Sequence, residues 1–416
     1  MVQSNKNNYG FALFFIGILF FVFGFITWAN NNLIPYLKIA CELNNAQSLL
    51  VASAFFAAYF FMSIPSSWVL NKIGFKKGMS IGLFIMALGA LIFVPAAQSR
   101  TFELFLTGLF IIGTGLALLQ TASNPYAAIL GPKEGAAKRI SIMGICNKVA
   151  GILSVYILGS ITLKNSDQIE AQLKVLDPVG KSQLLDELAQ RVVTPYIIIA
   201  VSLIVLGCIV FFVHLPEIQD ENDEQAIEIT DKPITAFPYL FYGVLALFCY
   251  VGVEVISYDT FTGLGTSLGY PLDKAKHFAT YTGYMLLVGY VINIIAIPKY
   301  ISQKNALMYS TVASIGLVIL TMFTTGTTAI ICFALLGLTN SVMWPAIFSL
   351  SIDGIGKFTK LGSAFLIMAI VGGAVLPPIY GNLVDQIHNA QLAYWIMIPP
   401  YLYILFFAIK GSKIGK

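Results

Sequence analysis

Charge divides this chain into long apolar runs separated by short polar ones. Windows 7–37, 43–71, 78–99, 104–132, 192–216, 277–298, 361–384 and 386–409 hold no Asp, Glu, Lys or Arg. Window 140–163 is interrupted only by Lys148, and window 233–272 only by Glu254 and Asp259. The charge-free window 305–352 is too long for one crossing and breaks at Thr324-Thr325-Gly326-Thr327-Thr328. About 20 apolar residues in a helix cover the hydrocarbon core of a bilayer. The pattern therefore predicts an all-α membrane protein with twelve transmembrane helices. Two hydrophilic stretches interrupt it. Segment 164–192 reads as a short helical excursion on the outer face. The acidic segment 216–237 reads as a solvated cytoplasmic linker, dividing residues 1–215 from residues 238–416, with six helices on each side.

The distribution of Lys and Arg orients the chain. With the N-terminus inside, the inner segments carry fifteen of them, among them Lys72, Lys76, Lys77, Lys138, Arg139, Lys299, Lys304 and Lys413, and the outer segments carry eight. This places both termini in the cytoplasm and the chain, as a multi-pass protein, in a cell inner membrane. The first apolar run is too long for a cleaved leader and continues into polar residues, so no signal peptide is read there. Composition narrows the classes further. Charged residues make up 11% of the 416 residues and hydrophobic ones 57%, against about 25% charged in soluble domains. A nucleic-acid binder would need clustered cations, and a net charge of +4 does not supply them. The five Cys lie mostly inside apolar runs and read as small buried hydrophobes. No cofactor or metal is expected.

The chain also repeats itself. A shift of 220 residues sets Gln120-Thr121-Ala122-Ser123-Asn124-Pro125 over Asn340-Ser341-Val342-Met343-Trp344-Pro345, amide on amide and proline on proline. A shift of 222 sets Ala150-Gly151 over Gly372-Gly373, and one of 227 sets Lys72 and Lys77 over Lys299 and Lys304. Two parallel six-helix halves are a transporter plan in which the substrate sits near the midplane between them.

Ionisable side chains at membrane depth are costly and mark function. Three candidates stand out: Lys148, Glu254 and Asp259. Glu254 lies near the centre of span seven with Tyr250 and Tyr258 one turn to either side, and Phe261 and Thr262 are expected to continue that stripe. A carboxylate with donors beside it can hold a sugar hydroxyl, carry a proton, or do both; the alternative is a structural anchor. Asp259 lies nearer the outer surface, as a gate or rim. Lys148 should seek a carboxylate, for ion pairing, gating or substrate contact. Amides form a second group: Asn30, Asn31 and Asn32 in span one, Gln120 and Asn124 in span four, Asn147 in span five, Asn293 in span eight, and Asn340 one turn before Trp344 in span ten. Singly, such amides can glue helices together. As a set with Glu254 and Trp344 they suit a polyol, with amides and carboxylate reading hydroxyls and an aromatic face packing on a sugar ring.

The turn Ser67-Trp-Val-Leu-Asn71-Lys72-Ile-Gly74-Phe-Lys76-Lys77 resembles the loop signature of the major facilitator superfamily, with Ser67 and Asn71 replacing the usual Gly and acid. The stretches LALLQTASNPYAAILGP, ISIMGICNKVAGIL, FCYVGVEV, WPAIFSLSIDGIGKFTKLGSAFLIMAIVGGAVLPPIYG and LIPYLK resemble its fucose:proton symporter family, and within it the bacterial glucose/galactose transporters. The resemblance runs through essentially all twelve spans. It implies uptake of a monosaccharide driven by a cation gradient, proton or sodium. Fucose-type members carry an Asp in span one and a Glu in span four, where this chain has Asn31 and Gln120, and neither amide can carry a proton. Glu254 matches the glucose/galactose-type pattern in span seven, and Asn147 a family sugar-binding Asn. Lys148 departs from a small residue and could serve as a built-in cation.

The expectation is a monomeric hexose symporter working by alternating access, with Asn31, Gln120, Asn124, Asn147, Glu254, Asn340 and Trp344 contacting the sugar. Glu254, Lys148 and Asp259 are the expected coupling or gating groups. An uncoupled facilitator is the first rival, favoured by Asn31 and Gln120. An intramembrane sugar-processing enzyme would need acids or His clustered in one aqueous loop, whereas His214, His277 and His388 are scattered. A nontransporting sugar receptor would be separated from a carrier by counterflow.

Overall fold

The structure, a computed structural model, describes residues 6–43, 45–162, 164, 169, 172–173, 175–213, 233–275 and 277–415. Among the described residues there is no strand. Eleven helical segments among the described residues are long and apolar enough to cross a membrane. One of them, Ser53–Ser99, has 47 residues, about 70 Å of helix and more than twice the hydrocarbon thickness. It is broken at Gly74, whose φ of 79° and ψ of 172° lie in a region that only glycine enters freely. That segment is therefore spans two and three, and the expected twelve spans are all present. The turn at Gly74 is the one flanked by Lys72, Lys76 and Lys77.

Span one lies within Lys6–Ala40 and span four is Phe102–Ile129. Span five is Ala136–Thr162 and span six Val193–Phe212. Span seven is Pro238–Asp259, span eight Phe278–Ala296 and span nine Gln303–Phe323. Span ten is interrupted: Gly326–Asn340 ends at an amide, Ser341 and Val342 turn, and Met343–Ile352 resumes. Span eleven is likewise two helices, Thr359–Met368 and Gly372–Ile387, joined by the 3-10 turn Ala369–Val371. Span twelve runs from Leu392 to Ile409. The expected break between spans nine and ten at Thr324–Thr328 is present, since one helix ends at Phe323 and the next begins at Gly326. Most of the expected linker, residues 216–232, lies outside the described residues.

Close contacts divide the chain into two compact units. One comprises Phe14–Ser123 and Cys146–Glu217, the other Met1–Leu13, Asn124–Ile145 and Ile218–Lys416. In the first unit, spans three and four meet along a glycine seam. A Cβ on Gly82 would lie 2.9 Å from the Gly115 carbonyl, and one on Gly89 would lie 2.8 Å from that of Gly108. Small residues allow such backbone approach where no water drives helices together. The ring of Phe93 stacks on Tyr196 of span six at 3.9 Å. Within the excursion expected over 164–192, the described residues include the helix Pro178–Gln190, capped by Asp177. Its last carbonyls, Leu188 and Ala189, face the Tyr36 hydroxyl at 2.8 and 3.0 Å. Lys181 pairs with Glu42 at 2.5 Å and Asp186 with Arg100 at 2.8 Å.

In the second unit the joint between spans four and five is closed by Arg139, which is 4% exposed. Its Nε donates to the Ala127 carbonyl and its Nη1 to that of Pro132, both at 2.9 Å, while Nη2 reaches Ala128 and Gly131. The guanidinium thus caps the C-terminus of span four, where carbonyls lack helical partners and the helix dipole favours a cation.

Candidate functional site

In the first unit, Gln120 is buried and its Nε2 donates to the Tyr59 hydroxyl at 2.7 Å. Span one crosses span five at Gly24, where a Cβ would lie 2.4 Å from the Asn147 carbonyl oxygen and 2.8 Å from its amide nitrogen. One turn on, Gly151 receives the indole of Trp28 in the same manner. The Lys148 ammonium lies 4.5 Å from the centre of the Trp28 ring, a cation–π contact. Trp28, Asn147 and Lys148 are all half-buried. Asn31 belongs to the span-one helix, but its side chain lies outside the described residues.

The second unit holds Glu254, half-buried in span seven. The Tyr250 hydroxyl donates to its carboxylate, and the charge also acts on Tyr258, Tyr290 of span eight and Tyr401 of span twelve. The expected stripe of Tyr250, Glu254 and Tyr258 is real; its continuation is not. Span seven ends at Asp259, and Phe261 belongs to a separate short helix, Phe261–Ser267, buried against Phe278 and Phe333. Asp259 is exposed at that end.

Trp344 begins the second half of span ten and is half-buried. Its Nε1 donates to Asn124 Oδ1 at 3.4 Å, and its ring stands 6.5 Å from Tyr250 and 6.2 Å from Phe348. The pair Asn124 and Trp344 are 220 residues apart, the offset of the internal repeat, so each touches its own counterpart. Asn340 is fully buried: its Oδ1 accepts from the Tyr401 hydroxyl at 2.9 Å, and its Nδ2 has no hydrogen-bond partner among the described residues. Asn293 Nδ2 donates to Ser341 Oγ at 2.9 Å, and Ser341 Oγ donates to the Leu338 carbonyl at 2.7 Å, so this amide meets span ten at its break. Tyr290, 4% exposed, rests on span five at Gly144, where a Cβ would lie 2.6 Å from its ring.

Tyr59, Trp28, Tyr290 and Tyr401 are absent from the set read off the sequence. Of these, only Trp28 carries a signal in the chain, one turn before the Asn30–Asn32 run. Tyrosines in apolar windows are otherwise indistinguishable from core aromatics.

A family model described as the Major Facilitator Superfamily matches residues 16–377. The chain is 36% identical over 421 residues to the glucose/galactose transporter of Brucella abortus biovar 1 (strain 9-941), spanning 99% of this chain and 96% of that protein. It is 31% identical over 422 residues to the L-fucose-proton symporter of Escherichia coli (strain K12), spanning 99% and 95%. Among solved structures it is similar to FucP, a transporter crystallised in the outward conformation, with a TM-score of 0.86 and 29% identity over 96% of this chain and 98% of that one.

Proposed function

The chain belongs to the Major Facilitator Superfamily, and from that premise we propose that it is a proton-coupled hexose symporter for sugars such as glucose or galactose. The names of its relatives support the sugar class and the coupling. The observation that carries the reading is Glu254, a carboxyl within a membrane span, bonded by Tyr250 and within electrostatic reach of Tyr258, Tyr290 and Tyr401. Asn31 and Gln120 stand where fucose-type members carry acids, and neither amide can carry a proton. Glu254 is then the group left to load and release the proton, while the ring faces and amides hold the sugar.

In this reading Asn124 and Trp344 are sugar-contacting residues of the second unit, and Gln120 and Asn147 of the first. Asn340 contributes its unmet amide nitrogen, and Asn31 completes the set from span one. Lys148, lying on Trp28, gates the path as a fixed cation, with Asp259 at the outer rim. The protein works as a monomer in an inner membrane, both termini cytoplasmic, with residues 1–215 and 238–416 as the two rocking halves.

The test is uptake of labelled glucose and galactose into proteoliposomes. An imposed inward proton gradient is expected to drive accumulation that a protonophore collapses. Equilibration without accumulation would make the protein a facilitator, and accumulation driven only by sodium would replace the coupling ion. Within the site, Trp344→Ala is expected to weaken hexose binding by about tenfold, the scale of one lost aromatic contact, without loss of folded protein. Unchanged affinity, measured by equilibrium binding, would take Trp344 out of the sugar site.

A further inference from the structure

We propose that Tyr250 is the positioning residue through which Glu254 and the sugar platform Trp344 sense one another. The inference rests on the proposed symport and supplies the physical link it needs. Coupled transport requires that a proton on one group change the affinity for sugar at another, and the reverse by the same factor. That linkage needs an element in contact with both.

Tyr250 meets the requirement. It is 1% exposed and sits one helical turn before Glu254. Its hydroxyl donates to the Glu254 carboxylate. Its ring lies 6.5 Å from the Trp344 indole at 58°, within the range of interacting aromatic pairs. Trp344 is held in turn by Asn124 and by the stacked ring of Phe348. A displacement of Tyr250 is therefore transmitted to the indole by packing. When Glu254 is charged, its bond to Tyr250 is charge-assisted and strong. When Glu254 takes up a proton that assistance is lost, the bond to the hydroxyl weakens, and the ring can settle against an indole that carries sugar. Protonation then raises sugar affinity, and sugar raises proton affinity.

Other groups also face Glu254 within this unit. Tyr258 is on the same helix, Tyr290 on span eight and Tyr401 on span twelve. Span ten carries no Asp, Glu, Lys, Arg or His from residue 326 to 352, and the Lys360 and Asp385 of span eleven stand at its two ends. Tyr401 is bound to Asn340, and Tyr290 packs its ring on Gly144. Tyr290 thus feels the same carboxylate from another helix with its ring turned to span five, which makes it a matched control.

The experiment measures the Kd of labelled galactose for the purified full-length protein at about pH 5.5 and about pH 8.5. The wild type is expected to bind at least about fivefold tighter at the lower pH, the lower end of ordinary linkage. Tyr250→Phe keeps the ring, so it should bind with a pH ratio near one and still catalyse counterflow. Tyr290→Phe should keep the wild-type ratio. A wild-type ratio in Tyr250→Phe, or its equal loss in Tyr290→Phe, overturns the inference and leaves the symport reading intact. A ratio of one in the wild type overturns both. A second readout does not need a Tyr250 variant to fold: the intrinsic fluorescence that Trp344→Phe removes should shift between the two pH values, and a pH-invariant Trp344 contribution overturns the link.

Discussion

Glu254→Gln is expected to abolish uphill hexose uptake while sparing exchange. Glutamine keeps the shape of the side chain and can still accept from Tyr250, but it cannot take up or release a proton. One charge moving down 100 mV supplies about 2.3 kcal/mol, which sustains roughly 50-fold accumulation, since 1.36 kcal/mol is a factor of ten. The whole of that ratio should disappear. The measurement is labelled-sugar uptake into proteoliposomes under an imposed proton gradient, beside counterflow without one. Retained accumulation in the variant would end proton coupling through Glu254 and favour sodium. Equal loss in both assays would make Glu254 a binding residue first.

The second large effect concerns stability. Arg139→Met keeps the apolar stem and removes every donor from the cap of span four. Hydrogen bonds to a charged group contribute about 1.5–3 kcal/mol each. Losing the two 2.9 Å bonds to Ala127 and Pro132 should cost on the order of 3 kcal/mol, a large share of the stability of an ordinary domain. Arg139→Lys should recover only part of it, because a point charge cannot reach carbonyls spread across a planar fork. Thermal melting in detergent, with the monodisperse yield, reads both variants. A methionine variant that melts with the wild type would show that water satisfies those carbonyls.

The membrane makes the coarse fold legible in the chain. Hydrocarbon thickness fixes the length of each charge-free window, so twelve spans, the Gly74 turn and the break after Phe323 follow from spacing. The interruption of span ten does not. Ser341 and Val342 are neither Gly nor Pro, and the side chain that meets Ser341 there, Asn293, comes from span eight. Arg139 reads as one more cation of an inner loop, because nothing local signals that its guanidinium folds back onto the preceding helix. Glu254 stands out in the sequence, since a carboxylate is too costly in an apolar window to persist there without a role. The tyrosines that surround it do not: Tyr290 and Tyr401 come from spans distant in the chain, and only packing selects them from twenty. The stripe stops short of Phe261 because helical periodicity has no meaning past the end of its helix.

The helix Pro178–Gln190 bears on how this protein could be labelled. Protein engineers favour long extramembrane loops for epitope tags and reporter insertions, and by length alone residues 164–192 would be the first choice. Yet Tyr36 holds the end of that helix, while Lys181 and Asp186 fasten it to Glu42 and Arg100. A tag placed between Pro178 and Gln190 would therefore tug on the end of span one, the helix that carries Asn31, and an antibody against this face would tend to report on, or alter, the first helix of the transporter.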